Sequence, residues 1–129
     1  MTHSQSQEAF VEADSYTGPS IVIAYCPCIA HGIRAGMSHT IVEEKLAVKA
    51  GYWTLYRYNP ENKKIGKEVL TVDYAKPDDS MVSFLAGEDR YADLKIRDDK
   101  MVDVLWRELQ DKCDDLYNIM IYETKSPCN

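Results

Sequence analysis

Gly18-Pro19-Ser20-Ile21-Val22-Ile23-Ala24-Tyr25-Cys26-Pro27-Cys28-Ile29-Ala30-His31-Gly32-Ile33 runs from an apolar stretch into a cysteine-bearing turn. Ser20 to Tyr25 is short, nearly continuous in apolar residues and rich in β-branched ones. Bounded by Gly18-Pro19 before and Pro27 after, it predicts a strand buried on both faces. Pro27 has no N–H to extend a ladder, so the strand is expected to stop there. Cys28 then projects from its C-terminal end, the edge where open α/β sheets gather their ligand sites. A loop follows, marked by Gly32 and Gly36.

On the N-terminal side, Gln5 to Asp14 reads as a short helix with Phe10 and Ala13 on one side, broken by Thr17-Gly18-Pro19. On the other side, Thr40 with Glu43 forms a capping-box signature, and Val42, Leu46 and Ala50 follow at helical spacing. Gly51 stands where a left-handed cap residue belongs. Tyr52 to Tyr58 is aromatic and extended, closed by Asn59-Pro60; Asn62 to Gly66 is a lysine-bearing turn, and Glu68 to Tyr74 alternates like a strand. Short helical pieces are expected between Asp78 and Leu94. From Asp98 or Asp99 as N-cap, Met101, Leu105, Leu109, Cys113, Leu116 and Met120 trace one apolar stripe on a long helix. The predicted architecture is α/β: one domain over residues 1–129, a short sheet flanked by helices, and a long C-terminal helix. A strand buried on both faces needs neighbours that this short sheet does not supply.

The chain has 129 residues, 45% of them hydrophobic, which is enough to build a core. Its 15 basic and 21 acidic residues give a net charge of -6. That balance argues against a nucleic-acid binder, which would carry a basic stripe. The Tyr52-Trp53 and Tyr56-Arg57-Tyr58 aromatics therefore read as strand packing and not as a base-stacking platform. No apolar run approaches the ~20 residues of a membrane span, and Met1 to Glu8 lacks the order of a secretory signal. A cytoplasmic location is expected, or an anaerobic organelle in a eukaryote.

Four cysteines in such a chain read as thiols or metal ligands, not a disulfide framework. Their spacing fits no structural zinc pattern. Cys113 falls on the helical stripe and is expected in the core. Cys128, in a polar tail, reads as a spare exposed thiol. Cys26 is two residues before Cys28 and would share its side of an extended chain, so a ligand doublet and a small buried residue are both open. His3 and His39 have no partner in the sequence. Lys63, Lys64 and Lys67 form a solvated turn.

The block Gly18 to Ile33 resembles the C-terminal region of pyruvate:ferredoxin (flavodoxin) oxidoreductases. The likeness continues through Glu44-Lys45-Leu46-Ala47-Val48, Gly51-Tyr52-Trp53 and Leu55-Tyr56-Arg57-Tyr58-Asn59-Pro60. It resumes at Phe84-Leu85, Glu88, Arg90-Tyr91 and Leu94. The resemblance implies a fragment of a large thiamine-diphosphate-dependent enzyme with 4Fe-4S clusters. Such an enzyme decarboxylates pyruvate, gives acetyl-CoA from coenzyme A, and sends electrons to ferredoxin or flavodoxin. It further implies that this chain is the end of the thiamine-binding domain and that Cys28 is one metal ligand of the cluster nearest the thiamine. At position 26 the family more often has a small residue without a thiol, so Cys26 departs from it and is read as a small buried residue. The remaining cluster cysteines and the motif for magnesium and the diphosphate would lie in the remainder of the parent enzyme, expected to be a homodimer. The chain by itself is then expected to be inactive. His31 reads either as a hydrogen-bonding residue near the cluster or thiamine, or as a residue that orders the loop. Two rivals remain at this level: a stand-alone, degenerate interaction or assembly module, and a piece of a pyruvate:NADP oxidoreductase fusion.

Overall fold

A computed structural model describes residues 3–78 and 80–125, with side chains from Gln5. Cys128 lies outside the described residues. The element order is α1 (His3–Ser15), α2 (Thr40–Lys49), β1 (Tyr56–Tyr58), β2 (Leu70–Val72), α3 (Met81–Ala86), α4 (Asp89–Arg97) and α5 (Asp99–Lys125), with short 3-10 turns between. Helices dominate, the sheet has two strands, and the chain closes on a long helix, as a partial α/β domain.

The core gathers where α2, α3 and α5 meet. Ala47 and Ala50 offer small faces to Met81, Phe84, Leu85, Val102 and Trp106, all buried. Small residues on α2 let the aromatic rings approach its backbone, and close packing of this kind carries most of the stability of a small domain. Gly51 terminates α2 at φ +78, where a Cβ would sit 2.6 Å from Pro77 Cγ, so both the backbone and the space exclude a side chain. β1 and β2 pair antiparallel, with Tyr56 opposite Val72 and Tyr58 opposite Leu70. A 3-10 turn over Pro60–Ile65 joins them and leaves Lys63 and Lys64 exposed.

α1 is held differently. Phe10 and Val11 are exposed, and the helix docks through polar contacts to the hairpin. Arg57 reaches Glu12 at 2.9 Å and Asp73 at 2.7 Å, and Asn59 donates to Glu12 Oε1 at 2.9 Å.

Three expectations are corrected. Ser20 to Tyr25 is not a buried strand: it has no regular secondary structure and no ladder, and Ile21 is 86% exposed and Ile23 72% exposed. Among the described residues no strand pairs with it, so its apolar content is left facing water. Thr40 and Glu43 form no capping box; the Thr40 hydroxyl donates to Met37 O, and Glu43 turns into the interior. The α5 stripe is rotated at its start. Val102 and Trp106 are buried while Met101 and Leu105 are exposed, Leu109, Cys113 and Met120 continue the inward face, and Leu116 of the expected stripe is exposed. Both series are apolar at helical spacing, and contact with α3 and α4 selects one. Asp98 is the N-cap, accepting from Met101 N at 3.0 Å.

Candidate cysteine loop and its buried anchor

Cys28 sits in extended backbone at the entrance to a one-turn 3-10 helix, Ile29–His31, and its thiol is exposed. The preceding Pro27 is buried, so the loop is pinned just before the cysteine. Cys26 is exposed too, contrary to its reading as a small buried residue; it stands in the unpaired segment and so has nothing to bury against among the described residues. His31 folds back on the cysteine. Its Nδ1 accepts the Cys28 backbone N–H at 2.9 Å and lies 3.1 Å from Sγ. Gly32 then turns at φ +66, where a Cβ would meet Asp89 Cβ at 2.8 Å, so this tight return requires glycine.

The loop is laced to the α3–α4 junction by backbone bonds. Asp89 N donates to Gly32 O, and Arg34 N donates to Gly87 O, both at 2.9 Å. Between them Ile33 bridges Glu88 in antiparallel fashion. The Arg34–Asp89 ion pair beside them is more than half exposed and adds little.

Beneath the loop lies a carboxylate with no exposure at all, Glu88. Buried charge is tolerated when its lone pairs are satisfied. Arg90 Nε binds one oxygen at 2.5 Å, and the Tyr25 hydroxyl donates to the other at 3.3 Å. The Tyr25 ring stacks on Trp53 with centroids 5.4 Å apart and meets the His31 ring edge-on at 6.2 Å. Tyr52 packs on Phe84, and its hydroxyl pairs with that of Tyr91 at 2.6 Å. Arg90 lies 4.4 Å from the centre of the Tyr91 ring. Burial first, then the charge of Glu88, raises the pKa of Tyr25 well above the usual phenol, so its hydroxyl keeps its proton and donates. Glu43 is the second interior carboxyl. Burial, and after it the negative Glu88, raises its pKa, and Oε1 has no hydrogen-bond partner among the described residues.

Sequence reasoning left His31 between a role near the cluster or thiamine and the ordering of its loop; the structure sets it against Cys28. Cys113 lies apart, half-buried on α5, where burial raises its thiol pKa. His39 contacts Ser38 in an exposed turn. The Tyr25–Glu88–Arg90 anchor was not assigned a role from sequence. The available signals were a glutamate after Gly87 at the foot of two short helices, and a tyrosine preceding the cysteines. Among the described residues no group of three or more His, Cys, Asp or Glu could hold a metal ion. Cys26 and Cys28 are both exposed thiols, and they form no such group with other described residues.

No protein-family model matches the chain. Over most of its length, however, the chain is homologous to pyruvate:ferredoxin/flavodoxin oxidoreductases. It is 51% identical over 94 residues to the pyruvate:ferredoxin oxidoreductase of Moorella thermoacetica, a match covering 73% of this chain. It is 43% identical over 107 residues, 83% of this chain, to the pyruvate-flavodoxin oxidoreductase of Enterobacter agglomerans. To the mitochondrial pyruvate dehydrogenase [NADP(+)] of Euglena gracilis it is 38% identical over 114 residues, 88% of this chain. The chain spans 8%, 9% and 6% of the lengths of these curated relatives.

Proposed function

We propose that this chain is the C-terminal part of the thiamine-binding domain of a pyruvate:ferredoxin/flavodoxin oxidoreductase, and that its Cys28 thiolate is one ligand of the 4Fe-4S cluster nearest the thiamine. The observation that carries this is an exposed thiol on a tethered loop, within a chain 51% identical over 94 residues to such an enzyme. When bound, thiamine diphosphate supplies the carbanion chemistry and the clusters carry the electrons away. The task of this chain is narrower. Pro27 and Gly32 fix the loop ends, the Glu88 anchor holds its underside, and Cys28 faces outward to meet ligands contributed by the rest of the parent. The exposed run Ile21–Ile23 has the composition of a strand for that parent's sheet. No helix among the described residues is long and apolar enough to cross a membrane. The identity of the acceptor, whether ferredoxin, flavodoxin or NADP through an appended domain, would be set outside this chain.

The test compares Cys28→Ser with Cys26→Ser in the full-length parent. Iron and acid-labile sulfide per chain, with the reduced EPR spectrum, should show loss or conversion of one cluster in Cys28→Ser and none in Cys26→Ser. The reverse pattern would move the ligand to Cys26. Retention of every cluster in both would sink the proposal.

A further inference from the structure

We propose that His31 is a positioning residue for the Cys28 thiol: through Nδ1 it accepts the Cys28 backbone N–H and so fixes the direction in which Sγ leaves the loop. The proposal rests on the reading of Cys28 as a cluster ligand and concerns side chains of this chain alone. An N–H donating to Nδ1 at 2.9 Å requires that nitrogen to be unprotonated, which leaves the imidazole proton on Nε2. The same Nδ1 stands 3.1 Å from Sγ, so the ring lies against the sulfur while its lone pair serves the backbone N–H.

An imidazole on an exposed loop would ordinarily sample several rotamers. Here the Tyr25 ring meets it at 85°. Tyr25 is itself held from two sides, by stacking on Trp53 and by its hydrogen bond to fully buried Glu88. A continuous line of contact thus runs from the thiol through His31, Tyr25 and Glu88 to Arg90. Metal ligands need such support, because a site held a fraction of an ångström too loosely binds poorly, and polar groups beside a ligating sulfur shift its redox potential.

The first readout uses the 129-residue chain, labelled with 15N, at a pH where imidazole is neutral. Long-range 1H–15N spectra should show His31 as the Nε2–H tautomer. Amide exchange at Cys28 should quicken on the order of tenfold in His31→Ala, as expected when a local opening loses its bond, with Cys26 unchanged. His31→Asn places an oxygen where Nδ1 stood and should restore most of the protection. The second readout is the full-length parent, where His31→Ala should alter the EPR signal of the proximal cluster and His31→Asn should return it toward wild type. A wild-type Nδ1–H tautomer, unchanged Cys28 exchange in His31→Ala, or an EPR signal indifferent to His31 would each overturn the proposal. Failure of the ligand reading shows separately, as a cluster retained in Cys28→Ser while the tautomer and exchange results stand.

Discussion

The two halves of one short block behave oppositely. Ile21–Ile23 is apolar, yet it faces water and makes no backbone–backbone hydrogen bond among the described residues. Tyr25–Ile33 carries a phenol, two thiols and an imidazole, yet it is bound to the interior by backbone bonds, stacking and a buried carboxylate. Hydrophobicity states what a segment would gain by burial; it does not provide the surface to bury against. The second half has its surface in this chain, at the α3–α4 junction, and the first half finds none among the described residues.

The largest expected effect falls beneath the tethered half. Phe84 is fully buried and carries the Tyr52 ring at 4.8 Å. Phe84→Ala should therefore cost about 3–5 kcal/mol in urea unfolding of the chain. A loss under about 1 kcal/mol would mean that the loop rests on something else.

Glu43 gives a smaller effect with a definite sign. Its pKa is raised in the folded chain, by burial and then by Glu88. The folded state holds that proton more tightly than the unfolded state, so the contribution is complete below the ordinary glutamate value of about 4.3 and is lost as pH rises through the folded value. Glu43→Gln keeps the group neutral throughout. Its stability relative to wild type should climb as pH is raised from about 4 to about 7. A constant difference across that range would show that Glu43 titrates as if in water.

The smallest effect belongs to the untethered half. Ile23→Ser should change the stability of the chain by about 0.5 kcal/mol or less, as at other exposed positions. In the full-length parent, the same change should lower the melting temperature if the segment there joins a sheet. Equal shifts in chain and parent would erase the contrast between the two halves.

Much of this was legible in local sequence. The α1 helix, a turn around Asn62 to Gly66 and the Asp98 cap all depend on residues within a few positions of each other. What was not legible depends on distant partners. The strand assigned to Ser20–Tyr25 required neighbours that only a larger sheet supplies. Glu43 has the spacing of a capping glutamate, and nothing nearby in sequence announces that Gly87 and Glu88 will close over it. Tyr25 and Glu88 are 63 residues apart, so their bond exists only once α3 and α4 have folded against the loop. On α5, Leu105 and Trp106 are both apolar, and the choice of the inward one is made by packing.

Pro19 and Pro27 do more than mark the ends of the exposed run. Ile21-Val22-Ile23 is uncharged, β-branched and solvent-facing, the composition of segments that stack edge to edge between molecules and seed insoluble sheets. A growing intermolecular ladder needs an N–H at every second residue, and neither proline has one. On the edge that both prolines share, a ladder begun on this segment is interrupted at Pro19 and Pro27, which act there as gatekeepers for an exposed apolar run.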